Sequence, residues 1–202
     1  MTSVQYTARH AGPITLHIDT QAADVRVVAD PAVTGTIIEV STPDTSGPSM
    51  DAVRRTEFHD QGHEVHLKLR EGVDVGAGQV VTGVTIVNGV IYGAGSNAHV
   101  SAGITVRAIT EPGSTVVVRT MSGDVVTKGV GFVRARTMSG DIEVTGLHVG
   151  AALKTMSGDI RVAGAPGGRA QVTASSMSGD VTGSGVDLHG RSMSGRVRQV
   201  SQ

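Results

Sequence analysis

Three histidines lie close together in the segment HDQGHEVH, as His59, His63 and His66. Neutral imidazole is a common zinc ligand, and a hairpin could bring His59 and His63 together. Because successive strand residues alternate in direction, His63 and His66 fall on opposite faces, which breaks up a three-ligand set. The chain has no cysteine, and the histidines lack a metal-ligand spacing. The segment therefore predicts exposed hairpin histidines, with no metal and no cofactor.

A second possible cation-binding set consists of aspartates, each of which follows a glycine. Stacked carboxylates can attract calcium. Calcium-binding β-rolls, however, use dense nonapeptide repeats, and this set is sparse by comparison. Aspartate beside glycine is typical of a turn, where the carboxylate bonds local backbone and glycine supplies conformational freedom. The set is predicted to form structural corners: Gly123, Asp124, Gly140, Asp141, Gly158, Asp159, Gly179 and Asp180.

The sequence contains no motif of a known reaction. Serine, histidine and aspartate all occur, but no Gly-x-Ser-x-Gly elbow is present. No glycine-rich loop leads into Lys-Ser or Lys-Thr, as a phosphate-binding loop does. The glycine-rich segment GAGSNAHVSAG precedes a predicted strand and not a helix, which argues against dinucleotide binding. We predict that the protein is not an enzyme and has no catalytic residue.

The corner residues belong to a repeat. TMSGDV begins at Thr120 and returns as TMSGDI at Thr137 and Thr155, SMSGDV at Ser176 and SMSGRV at Ser192. The flanking residues alternate between apolar and polar, as in VRARTMSGDIEV, which is the period of a strand. One such unit cannot bury its apolar face alone, so neighbouring units must stack.

Stacked strand–corner–strand units predict an all-β fold, a β-solenoid with one hexapeptide corner in each coil. Residues 1–202 are predicted to form a single domain. Within it, residues 1–112 form irregular coils that contain a glycine-rich insert at 72–103, and residues 113–202 form the regular coils. The last copy has Arg196 where the others have aspartate, and a terminal coil that partly caps the stack is expected there.

A methionine precedes each Ser-Gly pair of the repeat. If it points outward, the column forms an adaptable apolar ridge that suits a partner protein. If the corner bends, the same side chains fill the core, since alternation breaks at turns. The sequence leaves both orientations open for Met121, Met138, Met156, Met177 and Met193.

The insert is the most unusual segment of the chain. No charged residue lies between Asp74 and Arg107, although 17% of the residues are charged. VTIVNGVIYG has Asn-Gly between two β-rich runs, which predicts a hairpin. Either it caps its own solenoid, or it pairs with another chain and produces a homo-oligomer. Pairing with another chain is the preferred prediction, with candidate interaction residues Val84, Ile86, Val87, Val90, Ile91 and Tyr92.

The composition limits the partners. The net charge of −1 gives no reason to expect nucleic acid. No apolar run approaches the roughly 20 residues of a transmembrane helix, so no membrane insertion is expected. The first residues show no signal-peptide pattern, and together with the absence of cysteine this predicts a cytoplasmic protein.

These segments together resemble the DUF4097 family of β-strand-repeat, adhesin-like proteins. GPITLHIDTQAADVRVVAD is similar to the opening strand pair, RRTEFHDQGHEVHLKL to the hairpin, and the TMSGDV copies to the closing coils. The resemblance implies a right-handed β-solenoid or β-roll without an established active site. The segment from Gly72 to Gly103 and Arg196 depart from the pattern.

Two functions are consistent with these observations. The preferred one is a non-enzymatic scaffold or interaction protein that self-associates through the uncharged hairpin. The alternative is a small-ligand or carbohydrate-binding module on the same solenoid. With two Phe, two Tyr and no Trp, the chain has few aromatic platforms for sugars, which disfavours the alternative.

Overall fold

The computed structural model describes residues 1–70 and 103–200, together with the backbone of residues 84–87 and 90–93. In the first part of the chain the elements are β1 (Thr2–Ala8), β2 (Thr15–Asp19), β3 (Asp24–Ala29), β4 (Thr36–Thr42), α1 (Pro48–Arg54), β5 (Glu57–Gln61), β6 (Glu64–Lys68), β7 (Val84–Val87) and β8 (Val90–Gly93). None of the helical residues in these ranges belongs to a helix of membrane-spanning length and hydropathy.

The remaining elements are all strands and follow one another closely. They are β9 (Thr105–Thr110), β10 (Thr115–Arg119), β11 (Val125–Lys128), β12 (Phe132–Arg136), β13 (Ile142–Leu147), β14 (Gly150–Lys154), β15 (Ile160–Gly164), β16 (Ala170–Ser176), β17 (Val181–Ser184), β18 (Val186–Ser192) and β19 (Val197–Val200).

The strands form two main sheets. Sheet A has the order β1-β4-β9-β3-β11-β13-β15-β17-β19, and sheet B has the order β18-β16-β14-β12-β10-β2-β6-β5. From β10 onward the chain alternates between the sheets, so two consecutive strands make one coil. Equivalent strands of successive coils pair in parallel, as Val116 does with Val133. The predicted all-β solenoid is confirmed.

The core lies between the two sheets and consists of small and β-branched side chains. Period-two alternation places Val133, Ala135, Ile142 and Val144 there, each with no exposed surface. The buried apolar side chains form one cluster that runs from the first strands to Val186. A row of valines and alanines therefore takes the place of the large aromatic residues that the chain lacks.

The stacking order of the coils differs from their order in the sequence. β2 and β3 lie directly against β10 and β11, with Leu16 opposite Val116 and Val25 opposite Val125. The next coil outward consists of β6 and β9. The regular stack thus begins with β2 and β3, about a hundred residues before its next coil, and not at residue 113 as the repeats suggested.

Antiparallel strands and the helix close the N-terminal end. β1 and β4 continue sheet A beyond β9, and β5 continues sheet B beyond β6. The α1 helix buries Ala52 and Val53 in the core. Tyr6 and Phe58 stack with ring centroids 4.9 Å apart. At the other end, β19 is exposed along its length and lies at the edge of sheet A, so SMSGRVRQV is the terminal coil.

A carboxylate fastens this N-terminal end to the regular coils. Glu111 Oε1 accepts hydrogen bonds from the backbone N–H of Gly12 at 3.0 Å and of Gly35 at 2.7 Å. These two bonds hold the pKa of Glu111 below its ordinary value. The unfolded chain therefore binds a proton at Glu111 more readily than the folded chain does. The stabilisation is complete at neutral pH and is lost as the pH falls through the lowered folded-state pKa.

Glu111→Gln is therefore expected to lower stability at neutral pH, and the gap to the wild type should close on acidification below about pH 4, near the ordinary glutamate pKa. Urea unfolding at several pH values measures the gap. Glu143→Gln, at an exposed position on β13, is the control and should change little at any pH. A gap between wild type and Glu111→Gln that stays constant or widens with acidification would contradict the charge-assisted bonds.

Candidate functional site

The hexapeptide corners form a continuous column on one side of the solenoid. Each corner leads from a sheet B strand to a sheet A strand, and its backbone bonds the corner of the preceding coil. Met138 N donates to Met121 O at 3.1 Å, and Ser157 N donates to Met138 O at 2.8 Å. Gln21 occupies the methionine position of the first coil, since Met121 N donates to its carbonyl.

The corner glycines are required for a reason that differs from the predicted one. Gly123, Gly140, Gly158 and Gly179 do not have left-handed φ angles, so the expectation of special backbone freedom at these corners was wrong. Each glycine stacks against the carbonyl of the corner before it. A Cβ on Gly140 would lie far inside van der Waals contact with Gly123 O, and one on Gly158 would collide with Gly140 O. Positive φ angles occur instead near the opposite corner, at Gly129 and Gly146.

The corner aspartates also bond differently from the prediction. Their carboxylates do not bond their own turn; each Oδ1 accepts from the backbone N–H at the same position of the next coil. The bonds run from Asp124 N to Asp24, from Asp141 N to Asp124, from Asp159 N to Asp141, and from Asp180 N to Asp159, at 2.8–3.1 Å. We call this row the aspartate ladder. It ends where Arg196 N donates to Asp180 Oδ1 at 2.8 Å, because arginine has no acceptor to offer another coil.

The hydroxyl residues that open each hexapeptide line the inner side of the column. Thr155 Oγ1 donates to Gly140 O at 3.3 Å, Ser176 Oγ to Gly158 O at 3.1 Å, and Ser192 Oγ to Gly179 O at 2.8 Å. The carbonyl oxygens that accept these bonds are the same ones that a Cβ on the next corner glycine would collide with. The glycine, the aspartate and several of the opening hydroxyl residues of the hexapeptide thus make contacts between coils.

The methionines point outward. Met121, Met138, Met156 and Met177 are 40–52% exposed, and Met193 is 78% exposed. Of the two orientations that the sequence left open, the structure shows the outward one. Successive corners are about 4.8 Å apart, the spacing of paired strands, so the five side chains form an unbroken apolar strip. We call this strip the methionine ridge.

The insert leaves and rejoins the solenoid at the end of the same column. Leu69 N donates to Asp19 O at 2.9 Å, and Asp24 N donates to Ile104 O at 3.1 Å. These two backbone bonds lie on either side of the corner between β2 and β3. Residues 69–104 thus take the place of a hexapeptide in the coil of β6 and β9. β7 and β8 pair antiparallel, with Val87 opposite Val90, as the Asn-Gly hairpin predicted. The side chains of Val84, Ile86, Val87, Val90, Ile91 and Tyr92 lie outside the described residues.

The histidines cluster at the N-terminal end of sheet B. His66 faces His17, with ring centroids 4.4 Å apart and the planes nearly parallel at 7°. His63 instead meets His10, edge to face at 4.0 Å. His59 is the strand partner of His66. Burial lowers the pKa of His17, and the neighbouring charge of His66 lowers it further, which favours the neutral imidazole.

His17 was missed by the sequence reasoning. The signal was present, because TLHID and EVHLK both place histidine between two apolar residues. When β2 and β6 pair in parallel, Leu16 meets Val65 and Ile18 meets Leu67, and the two histidines must then face each other. The separation of these strands in the sequence concealed the pairing.

Comparisons with known proteins give one matching family model and several similar solved structures. The family model described as Toastrack DUF4097 matches residues 83–199. A crystal structure of a putative cell adhesion protein from Clostridium sporogenes has a TM-score of 0.56 at 6% identity, covering 100% of this chain and 99% of that one. A putative adhesin from Bacteroides fragilis has a TM-score of 0.42 at 9% identity, covering 98% and 97%. A comparison with curated proteins gives no match.

Proposed function

Since the chain belongs to the DUF4097 (Toastrack) family, we propose that it is a non-enzymatic β-solenoid scaffold that binds other protein chains, first of all a second copy of itself. The observation that carries this proposal is the position of the methionine ridge. The ridge is exposed, apolar and continuous, and the insert that carries the uncharged hairpin departs from the column at one end of it.

The ridge has the chemistry of a protein-binding surface. Methionine is flexible and polarisable, so a row of methionines adapts to irregular apolar partners. The corner backbone beneath it is held by the aspartate ladder and by hydrogen bonds between coils. Because this backbone is already ordered, binding a partner should cost conformational entropy mainly in the methionine side chains.

The insert supports a second copy of the chain as the partner. β7 and β8 pair with each other, and their sequence carries no charge that would protect a strand edge. Strands of this composition pair readily with identical strands, because every backbone bond and side-chain contact is repeated.

The test is the mass of the protein in solution. Wild type is expected to form a discrete oligomer, and Val84→Lys with Ile86→Lys is expected to convert it to a soluble monomer, because buried lysines oppose pairing. Size-exclusion chromatography with light scattering reads the mass directly. The matched control is Val28→Lys with Val149→Lys, which places the same charges at exposed valines outside the insert. The control should keep the wild-type mass.

Two results would overturn self-association through the hairpin. One is a wild type that remains monomeric at high concentration. The other is a Val84→Lys/Ile86→Lys protein that keeps the mass of the wild type. In either case a different partner would have to occupy the methionine ridge, and the scaffold proposal would rest on the ridge alone.

The alternative, a small-ligand or carbohydrate-binding module, has less support. Sugar sites commonly present the flat face of an aromatic ring. Here Tyr6 and Phe58 stack on each other and pack against the core, and Tyr6 Oη donates to Thr56 O at 3.2 Å. Phe132 is half-buried within sheet B. No observation on the described part of the chain favours this function over the scaffold.

A further inference from the structure

Parallel pairing of β2 with β6 creates a compact group of metal-ligand side chains on the outer face of sheet B. His17 and His66 are register partners, and Glu64 lies two residues before His66 on the same face. Glu64 Oε2 is 3.6 Å from His66 Nε2. One ligand atom from each of the three residues lies within 4.8 Å of the others.

This arrangement differs from a chance histidine pair in its stacking. The two imidazole planes are nearly parallel with their centroids 4.4 Å apart, so a ring nitrogen of each can face the same ion. A neutral imidazole has a free lone pair, which is the form that binds a metal ion. The adjacent carboxylate adds the negative charge that a divalent cation requires.

A third histidine borders the group. His59 on β5 is the antiparallel partner of His66, and paired Cα atoms of antiparallel strands are about 4.5–5.5 Å apart. His17, His59 and His66 line one shallow depression at the protein surface. His59 can therefore approach the same ion from the third strand of the row.

We propose that His17, Glu64 and His66 form a surface binding site for one divalent transition-metal ion of the Zn²⁺ or Ni²⁺ type. Two imidazoles and one carboxylate match the nitrogen-rich ligand set that these ions prefer, whereas Ca²⁺ and Mg²⁺ prefer oxygen ligands. Three protein ligands leave a further coordination position for water or for His59. The ion joins β2, in the first regular coil, to β6, in the N-terminal hairpin, and so clamps this end of the solenoid.

The site is tested by calorimetric titration of the full-length chain with Zn²⁺ and with Ni²⁺. One ion per chain is expected, and His17→Gln or Glu64→Gln should weaken the affinity more than about tenfold. Zn²⁺ should raise the melting temperature of the wild type and should not raise that of His17→Gln. Circular dichroism shows whether each variant is folded.

The chain offers a matched control at its other end. His189 on β18 lies two residues after Asp187, with Nδ1 4.0 Å from Oδ1, so it repeats the spacing of Glu64 and His66. Its neighbour across the sheet is Thr173 and not a second histidine. His189→Gln should therefore bind metal as the wild type does.

Three outcomes would overturn the site. They are no saturable binding of Zn²⁺ or Ni²⁺, equal affinity in the wild type and His17→Gln, or equal losses in His17→Gln and His189→Gln. His10→Gln with His63→Gln tests the neighbouring edge-to-face pair. If that double variant lost the ion while His17→Gln kept it, the ion would belong to the other histidine pair and the proposal would be wrong.

Discussion

Gly140→Ala is expected to lower the free energy of unfolding by about 3 kcal/mol, at the upper end of the usual cost of overpacking. The added Cβ would collide with the carbonyl O and C of Gly123, which are backbone atoms. The neighbouring backbone is held by the bond from Ser139 N to Met121 O at 2.9 Å, so it cannot move without breaking contacts between coils. For a chain of this size the melting temperature should fall by about 6–12 °C.

The control for Gly140→Ala separates crowding from backbone strain. Gly62, in the turn between β5 and β6, has a φ of +73° and open space around its missing Cβ. Gly62→Ala should cost only the left-handed penalty of about 1–2 kcal/mol. Equal losses in the two variants, measured by urea unfolding, would show that the corners are not limited by the contact between stacked coils.

Asp124→Ala is expected to cost about 1–2 kcal/mol, because it removes the acceptor of a charge-assisted hydrogen bond. Asp124 Oδ1 accepts from Asp141 N at 2.9 Å, and without it that N–H faces an alanine in the middle of the ladder. Asp124→Asn keeps an oxygen acceptor and also removes like-charge repulsion along the column. The asparagine variant should therefore stay within about 0.5 kcal/mol of the wild type, as a surface change does.

Position along the ladder gives the control for this prediction. Asp180 Oδ1 accepts a hydrogen bond from Arg196 N in the terminal coil, so Asp180→Ala should fray that coil and destabilise the protein less than Asp124→Ala. Asp187→Ala, an exposed aspartate outside the ladder, should have little effect. If the Asp124→Ala variant unfolded at the same denaturant midpoint as the wild type, the aspartate ladder would not contribute to stability.

Local patterns in the sequence predicted most of the local structure. Period-two alternation in VRARTMSGDIEV identified the buried face, and Asn88-Gly89 identified the β7–β8 hairpin. These predictions succeeded because each depends on residues only a few positions apart. The repeats themselves predicted the coils for the same reason, since each copy encodes its own two strands and corner.

Contacts between coils were harder to predict, because their partners lie one coil away or farther. A glycine and an aspartate in a turn are read most simply as local turn chemistry, whereas Gly140 and Asp141 act on Gly123 and Asp124 of the preceding coil. The pairing of His17 with His66 depends on a strand alignment across 49 positions of the chain. Sequence alone offered no means of choosing that alignment among the possible ones.

The interleaved order of the coils has a consequence for how this chain is made. β3 cannot complete its pairing in sheet A until β11 is made, because its partner Val125 is a hundred residues downstream of Val25. At about 5–20 residues per second, a ribosome needs about 5–20 s to supply those residues. Until residues 105–110 are made, β3 has no partner strand on either side, and its edge toward the rest of the solenoid stays open until β11 is made. Nascent chains that stop before residue 115 therefore lack the strands that cover β2 and β3 on the side of the regular coils.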